Sequence, residues 1–257
     1  MNFFFLCSFL LLMISSATAS NGCIHKSKAK FYSSSRALNS GACGYRSLVS
    51  NLSGESLAGG VSSLYNNGIG CGMCLRVRCT DKALCSTRGT NVLLFDLNND
   101  NQIDLVLSKA AFQAMAITFY KRGELLNKGI VGVKYQRIPC NYKQNLTVRV
   151  EEMSNPYFLG LKFLYQGGQT DIVSVEIGRE VKKSRMPWQQ MKRNYGAIWS
   201  SGVTPGVALK LQVGVIDGYK TKKVESPKVV IPSNWKIGKA YDTGLKITST
   251  KQEKCSK

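Results

Sequence analysis

The chain has 257 residues, of which 35 are Lys or Arg, 15 are Asp or Glu and one is His, and its net charge is +20. The only histidine, His25, lies close to the start of the chain, which excludes a Ser-His-Asp or Cys-His catalytic centre of the ordinary form. One histidine also cannot build a metal site from several histidines. The excess of cations predicts a polyanionic partner. From Arg179 to the end there are 17 basic and 5 acidic residues, so the C-terminal third carries +12 of this charge.

The first 20 residues, MNFFFLCSFLLLMISSATAS, form an apolar run that ends in small residues. Ala17 and Ala19 stand in the −3 and −1 relation that signal peptidase recognises. An uncleaved membrane anchor is the alternative, but the run is short for a spanning helix. We therefore expect a secreted chain with no membrane segment, whose polyanionic partner is an acidic polysaccharide rather than nucleic acid. Asn51 and Asn145 begin glycosylation sequons, and we expect both to be used if they are exposed.

Eight cysteines follow the signal segment, and four of them, Cys71, Cys74, Cys79 and Cys85, fall within a short stretch. An even number of cysteines in a secreted chain predicts disulfide bonds. A zinc site of these four residues and a redox pair of Cys71 and Cys74 are the alternatives. Spacing alone leaves on the order of a hundred pairings open.

Short runs that are apolar or alternate in polarity predict β-strands separated by Gly, Asn, Ser and Lys turns. The predicted strands are CLRVRC, NVLLFDL, GIVGVKYQRI, LTVRVEE, LGLKFLYQGG, DIVSVEIG, GVALKLQVGV, KVVIP and GLKITST. One stretch, SKAAFQAMA at 108–116, predicts a helix with Ser108 as its N-cap. The cysteines from Cys43 to Cys140 indicate a disulfide-linked β domain that ends near 142. The cysteine-free region after it predicts an antiparallel sandwich.

The stretch FDLNNDNQIDLVL contains Asp96, Asp100 and Asp104. As a calcium loop it fails, because Asn101 stands where Gly makes the turn and Leu107 stands where a bidentate Glu is needed. We therefore predict no metal. If the stretch instead consists of two strand ends that flank a turn, Asp96 and Asp104 lie near each other. Two carboxyl groups are what glycoside hydrolysis requires. The alternative is that both residues cap turns.

Aromatic residues recur in the second region at Tyr165, Trp188, Tyr195 and Trp199. In NYGAIW, Tyr195, Ala197 and Trp199 would share one face of a strand. Such a row predicts a flat strip that stacks on sugar faces, with Tyr165 and Trp188 as further members. The alternative is that these rings pack in the core.

Several motifs, in order, resemble the plant expansin family. GACGY, LYNNGIGCGMCLRVRC, FDLNNDNQIDLVLSKAAFQAMA and GIVGVKYQRIPC resemble the first domain of that family. YFLGLKFLYQGGQTDIVSVEI, WQQMKRNYGAIW and IPSNWKIGKAYD resemble the second domain. The opening CIHKSKAKFYSSSRALNSGACGY and the run YQGGQTDI resemble the expansin-like A branch.

The resemblance implies a mostly β fold of two domains. Residues 40–143 would form a six-stranded double-psi β-barrel, as in family 45 glycoside hydrolases. Residues 155–245 would form an immunoglobulin-like β-sandwich of the expansin carbohydrate-binding type. The disulfide pairs that the resemblance implies are Cys43–Cys71, Cys74–Cys140 and Cys79–Cys85. Cys23 and Cys255 are left over, and neither domain motif implies a bond between them.

Expansins loosen plant cell walls without measurable hydrolysis, so the resemblance implies a secreted, monomeric cell-wall protein that is not an enzyme and has no cofactor. It would bind cellulose or hemicellulose, and the net charge adds acidic pectin as a further expected partner. Asp104 matches the acid of the family's H-F-D motif, which reads Gln102-Ile103-Asp104 here. Asp96 matches the T-D position, and Lys30-Phe31-Tyr32 replaces the sugar-contacting T-W-Y run.

The catalytic base of the related hydrolases has no evident counterpart near KFYSSS, and a lone acid cannot run the inverting reaction. We therefore expect Asp104 and Asp96 to line a groove without catalysing, with Tyr32 beside them. Two alternatives remain open. One is a weak endoglucanase or lytic transglycosylase that uses Asp104 and Asp96, and the other is a module that only binds glucan.

Overall fold

The computed structural model describes residues 23–33, 40–167, 170–179, 187–217 and 220–247. Within these ranges the chain forms two β domains, a closed barrel followed by a two-sheet sandwich. The signal segment 1–20 and Cys255 lie outside the described residues, and so does the question of a Cys23–Cys255 bond. Among the helices in these ranges, none is long and apolar enough to cross a membrane.

The barrel strands are β1 (His25–Phe31), β2 (Leu57–Gly60), β3 (Cys74–Cys79), β4 (Thr90–Leu97), β5 (Leu105–Leu107) and β6 (Val131–Ile138). The helices are α1 (Val49–Ser53), α2 (Ser62–Tyr65), α3 (Lys109–Ala114) and α4 (Lys121–Lys128), with 3-10 turns at Arg46–Leu48 and Asn66–Gly68. The sandwich strands are β7 (Thr147–Val150), β8 (Phe158–Leu164), β9 (Ile172–Arg179), β10 (Trp188–Gln190), β11 (Lys192–Tyr195), β12 (Ile198–Gly202), β13 (Leu209–Asp217), β14 (Lys220–Glu225) and β15 (Ala240–Asp242).

The six barrel strands close in the order β1-β5-β2-β4-β3-β6, which confirms the predicted six-stranded barrel. β1 pairs with β5 and β2 pairs with β4 in parallel, whereas the other neighbours are antiparallel. Side chains alternate across the wall of a barrel. In β6, Val131, Val133 and Tyr135 are buried, and Gly132 and Lys134 are exposed. The barrel starts earlier than the predicted residue 40, because β1 (His25–Phe31) is one of its six strands. The sequence patterns did not predict β1, because two of its inward-facing residues, Ser27 and Ala29, are too small or polar to give an apolar alternation.

Ser108 caps α3, as predicted, because its side-chain oxygen accepts a hydrogen bond from the Ala111 amide at 3.2 Å. The buried side chains of Ala111 and Phe112 place α3 against the barrel core. α4 follows after a short turn, and the sequence patterns did not predict it.

Three disulfide bonds link the barrel. They join Cys43 to Cys71, Cys74 to Cys140 and Cys79 to Cys85, which are the pairs that the family resemblance implies. Cys74 lies on β3 and Cys140 lies just after β6, so this bond fixes the end of the barrel where the chain leaves for the sandwich. All four clustered cysteines are therefore in disulfide bonds, although only Cys79 and Cys85 bind each other. No group of metal-ligating side chains occurs among the described residues.

The sandwich stacks a four-stranded sheet, in the order β10-β9-β13-β14, on a five-stranded sheet, in the order β11-β12-β8-β7-β15. Alternate residues of β8, namely Leu159, Leu161 and Phe163, are fully buried between the two sheets. The domain begins before the predicted residue 155, because β7 belongs to it. The predicted strand KVVIP makes a single bridge, between Leu209 and Ile231, although Val230 and Ile231 join the core.

The two domains pack directly on each other along an interdomain seam, which we define as residues 43–44 of the barrel and 196–197 of the sandwich. A Cβ atom added to Gly196 would lie 2.5 Å from the Cα atom of Cys43, and Gly196 has a φ of +51°. Only glycine fits this close approach and this backbone conformation. The Ala197 amide also donates to the Cys43 carbonyl at 3.2 Å.

Polar contacts on both sides of the seam hold the same arrangement. The Arg137 guanidinium of the barrel pairs with Asp171 of the sandwich at 2.7 Å, and both side chains are largely buried. The Arg193 Nη1 atom donates to the Gly68 carbonyl at 3.0 Å, so a sandwich side chain binds barrel backbone. Burial lowers the pKa of Arg193 to about 10.

Candidate functional site

Asp96 ends β4 and anchors the loop that forms the seam. Its Oδ1 atom accepts hydrogen bonds from the Ala42 amide at 2.7 Å and the Leu97 amide at 2.9 Å. Its Oδ2 atom accepts one from the Tyr32 hydroxyl at 3.0 Å. Burial, together with the Asp96 charge, raises the pKa of Tyr32 well above its ordinary value, so this phenol remains a donor. The structure thus places Tyr32 beside Asp96, and Tyr65 donates to the Ala42 carbonyl nearby.

Asp104 occupies a separate position, just before β5. Its Oδ2 atom accepts a hydrogen bond of 2.7 Å from the buried Tyr135 hydroxyl of β6. Burial, together with the hydrogen bond to Asp104, raises the pKa of Tyr135, and the His25 ring stacks on Tyr135 at 5.1 Å. β2 lies between the two carboxylates, since it pairs with β4 through Asp96 and with β5, the strand that follows Asp104. Each carboxylate therefore has its own phenol donor, and the two do not share a partner.

The calcium interpretation of this stretch finds no support in its contacts. Asp100 pairs with Lys30 at 2.7 Å, and this neighbour lowers the pKa of Asp100. The Asn98 side-chain amide donates to the Ile103 carbonyl at 2.5 Å and is buried. These side chains thus fold the turn between β4 and β5 onto itself and onto β1, which is the role of turn-capping groups.

The predicted strip of Tyr195 and Trp199 is wrong for Trp199. Its ring is only 5 % exposed and belongs to the sandwich core, where the Arg193 guanidinium lies 4.2 Å from the ring centroid. The two aromatic residues also lie on different strands, Tyr195 on β11 and Trp199 on β12. The positive φ of Gly196 turns the chain between them, so the even spacing in NYGAIW does not correspond to one face of one strand.

The other predicted rings lie in three different places. Tyr195 is 46 % exposed, and a Cβ atom on Gly44 would lie 2.9 Å from its Cε2 atom, so its ring covers the seam from outside. Tyr165 is half-buried between the domains and meets Tyr142 edge-on at 5.2 Å. Trp188 is half-buried on β10, at the edge of the four-stranded sheet. It therefore does not extend a strip on the five-stranded sheet.

The structure shows an exposed surface on the five-stranded sheet that the sequence analysis missed. We call it the sandwich outer face and define it by Met153, Asn194 and Tyr195, with the buried Ser200 beneath them. The Ser200 hydroxyl donates to Asn194 at 2.7 Å, and the Asn194 amide lies 3.6 Å from the Met153 sulfur. Tyr157, immediately before β8, is 72 % exposed at the far end of this sheet. Its position at a strand end, outside any alternating pattern, gave no sequence signal.

The two sequons differ in their surroundings. Asn51 is exposed on the short helix α1. Asn145 is half-buried, and its side-chain amide nitrogen donates to Asp242 at 3.1 Å. Glycosylation at Asn51 remains a prediction, and the exposure of this side chain favours it. Glycosylation at Asn145 also remains a prediction, and it would break the hydrogen bond to Asp242.

Comparisons with known proteins agree with this architecture. The family model for the expansin C-terminal domain matches residues 146–232, and a model described as lytic transglycolase matches residues 57–135. The chain is 46 % identical over 256 residues to expansin-like A2 of Arabidopsis thaliana, covering 98 % of this chain and 95 % of that protein. It is 45 % identical over 257 residues to expansin-like A1 of the same plant, covering 99 % and 96 %.

The fold also matches a solved structure. A mutant of the Clavibacter michiganensis expansin in complex with cellohexaose superposes with a TM-score of 0.63 at 19 % identity. The match covers 87 % of this chain and 98 % of that one, so it spans both domains. The sequence relationships extend over nearly the whole chain, and the barrel and sandwich have the matching fold. The chain therefore belongs to the expansin family, in its expansin-like A branch.

Proposed function

We propose that this protein is secreted to the plant cell wall and binds wall polysaccharide without hydrolysing it. The family membership supports this role, and a solved relative of the same fold was crystallised with cellohexaose. We further propose that the protein acts as a monomer and that cellulose or a hemicellulose of similar backbone is the main ligand. Whether binding also loosens the wall is part of the test below.

The contact of Tyr195 with the barrel is the observation that carries this proposal. The loop around residues 42–44 is held on one side by Asp96, through the Ala42 amide, and is covered on the other side by the Tyr195 ring. The barrel carboxylate and the exposed sandwich ring therefore border the same short loop. Tyr157, immediately before β8, is 72 % exposed at the far end of the same sheet. An extended sugar chain could thus hydrogen-bond near Asp96 and stack on the two tyrosines.

The surroundings of the two carboxylates support binding rather than hydrolysis. An inverting glycosidase places its acid and its base on opposite sides of the bond that breaks. Here Asp96 already accepts hydrogen bonds from two backbone amides and one phenol, and in this way it anchors the seam. Asp104 accepts a hydrogen bond from Tyr135 at a different strand end. The alternative of a weak endoglucanase or lytic transglycosylase would need these two groups to act together.

Cellulose binding by tyrosine variants tests the proposed surface. Tyr157→Ala should weaken binding by about 1–3 kcal/mol, by analogy with the stacking of flat rings on aromatic side chains. Tyr120→Ala is the matched control, because Tyr120 is 89 % exposed on the barrel next to α4. Binding should depend little on salt, since stacking is not a charge interaction. An equal loss in both variants would contradict the proposal.

Paired assays of purified protein separate the three functional classes. We expect no release of reducing ends from soluble β-glucan and extension of isolated walls under load. Reducing ends that are released by the wild type and disappear in Asp104→Asn would instead establish an enzyme. Cellulose binding without any wall extension would leave a module that only binds glucan.

A further inference from the structure

We propose that the outer wall of the barrel carries a second site, separate from the Asp96–Tyr195 surface, for a polyuronate, an acidic polysaccharide with a carboxylate on each sugar. The site consists of Lys26 on β1, Lys134 on β6, Arg76 and Arg78 on β3, and Arg88 between β3 and β4. We call these five residues the barrel cation group. The choice of a sugar polymer rests on the proposed function, which places the protein among wall polysaccharides.

The strand register sets three of these cations side by side. Lys26 lies opposite Lys134 across β1 and β6, and Lys134 lies opposite Arg78 across β6 and β3. Side chains directly opposite on one face of an antiparallel pair have Cβ atoms about 5 Å apart, and like charges there destabilise the sheet. Neutral polar residues would form the same wall without this repulsion. The row therefore has a cost for folding that a bound polyanion would offset.

Within the described residues, no carboxylate forms an ion pair with this group. Other cations of the chain form ion pairs, namely Lys30–Asp100, Lys128–Asp81, Lys210–Glu225 and Lys223–Glu176. The Arg76 Nε atom donates to Asn91 at 3.0 Å, which orients the guanidinium but leaves its charge. The buried Nε atom of Arg78 has no hydrogen-bond partner.

The shape and composition of the surface favour a sugar chain over a nucleic acid. An open depression of about 690 Å³ lies between Arg76, Arg78 and Arg88, and Thr87 and Asn91 also line it. Hydroxyl and amide groups beside cations match the hydroxyl and carboxylate groups of a polyuronate. None of the residues lining this depression is aromatic, so it offers no platform for stacked bases.

The barrel cation group is separate from Asp104 because side chains alternate along β6. The Tyr135 side chain points inward and binds Asp104, whereas its neighbour Lys134 points outward. A polyuronate on the outer wall would therefore leave the Asp96–Tyr195 surface free for glucan. The sequence gives the C-terminal third the greater net charge, and only Lys210 and Lys223 of its described lysines are in ion pairs, with Glu225 and Glu176. Exposed lysines of that third, such as Lys220 and Lys222, therefore serve as the control for net charge.

Binding of polygalacturonate to charge variants tests this site. The triple variant Lys26→Gln, Arg78→Gln, Lys134→Gln should bind polygalacturonate roughly tenfold more weakly at low salt, since exposed ion pairs contribute modestly and add up. The double variant Lys26→Gln, Lys134→Gln changes only exposed side chains and should lose part of the same affinity. The matched control removes three exposed sandwich cations by Lys220→Gln, Lys222→Gln and Lys236→Gln. It should stay within about twofold of the wild type.

Thermal unfolding gives a second readout that a merely structural role would not produce. Without ligand, the double variant should melt at the same temperature as the wild type or higher, because the like-charge contacts are gone. Polygalacturonate should raise the melting temperature of the wild type and much less that of the variant. Fully methyl-esterified polygalacturonate, which lacks the charges, should have no such effect.

Three results would overturn the proposal. One is an equal loss of polygalacturonate affinity in the sandwich control, which would show that only net charge matters. Another is equally tight binding of polyglutamate, which would show that the surface accepts any polyanion. The last is a melting temperature of the double variant well below that of the wild type. Cellulose binding, measured in parallel, should be unchanged in every charge variant, and its absence in the wild type would count against the proposed function alone.

Discussion

The barrel and the sandwich bury clusters of similar size, but they differ in what else holds them together. The barrel has two very short strands, β2 and β5, and it is linked by three disulfide bonds. The sandwich likewise combines long strands, such as β9 and β13, with short ones, such as β10 and β15, but its described residues contain no cysteine. Strand length therefore does not separate the two domains. Covalent links support the closed barrel, whereas packing between two sheets suffices in the sandwich.

This difference can be measured because all three tryptophans, Trp188, Trp199 and Trp235, are in the sandwich. Tryptophan fluorescence therefore reports unfolding of the sandwich, whereas far-ultraviolet circular dichroism reports both domains. The two domains should respond differently to truncation of a core ring and to loss of a disulfide.

The largest effect should come from truncation of the sandwich core. Trp199→Ala should lower the free energy of unfolding by about 3–5 kcal/mol, because it leaves a cavity in a closely packed site and removes the ring under Arg193. The remaining tryptophans can follow this loss in urea. Trp199→Phe, which keeps a ring, should retain cellulose binding. A full loss of binding in this folded variant would restore Trp199 as a ligand contact.

Loss of a disulfide should affect the barrel first. Cys74→Ala with Cys140→Ala opens a loop with a sequence separation of 66 and should cost about 2–4 kcal/mol. Circular dichroism should then detect unfolding at a lower urea concentration than tryptophan fluorescence does. If both probes report the same transition, the interdomain seam makes the two domains unfold together, although only the barrel contains disulfide bonds among the described residues.

A substitution at the seam tests that coupling directly. Gly196→Ala should lower the free energy of unfolding by about 2–3 kcal/mol and separate the two transitions, because the new methyl group would overlap the Cys43 backbone. Gly206→Ala is the control, since Gly206 also has a positive φ, +71°, but nothing lies within 4 Å of the added atom. It should cost about 1–2 kcal/mol without separating the transitions. Equal behaviour of the two variants would show that backbone conformation alone matters.

A smaller effect is expected at the Asp96 site. Tyr32→Phe removes one of three donors to this carboxylate, so the free energy of unfolding should fall by about 0.5–1.5 kcal/mol. The loss should appear in the barrel transition and leave the fluorescence transition in place. If the variant is as stable as the wild type, the two amide donors alone anchor the seam loop.

The smallest effect concerns alkaline pH. Burial and the Asp104 carboxylate raise the pKa of Tyr135, and burial also raises those of Tyr32, Tyr45 and Tyr142. An unfolded tyrosine ionises near pH 10, so the stabilisation from these groups is complete below pH 10 and is lost as pH rises towards their folded pKa values. The melting temperature should fall above pH 10.

The variant Tyr135→Phe isolates one contribution to this fall. Its melting temperature should depend less steeply on pH above 10 than that of the wild type. The lowered pKa of Arg193 acts in the opposite direction, but it is common to both proteins and cancels in the comparison. Identical slopes would indicate that Tyr135 does not titrate differently in the folded and unfolded chains.

The sequence predicts the strands whose own side chains supply the apolar pattern. The run CLRVRC coincides with β3, and NVLLFDL coincides with β4 to within one residue. β1 was missed because its partners supply most of the apolar surface there. The helix α4 was missed because its only buried residue is Leu125, which is too little for a recognisable helical period.

The site was harder to predict than the fold, because a period of two shows that residues share a face but not which face is exposed. Trp199 lies on the core side of its sheet, and only the three-dimensional arrangement shows this. Likewise, Tyr157 is exposed because β8 begins after it. The barrel cation group depends on register between three strands, and Lys26, Arg78 and Lys134 are far apart in the sequence.

Gly196 has a consequence for how this protein can change during evolution. Separate family models match the two domains, as if each were an exchangeable part. Yet a sandwich with any other residue at position 196, or a barrel with a bulkier residue at position 44, would weaken the contact between the domains. Recombination between relatives would therefore succeed only when both halves of the contact are inherited together. The unit that is inherited intact is therefore the barrel together with its sandwich, although each domain has its own hydrophobic core.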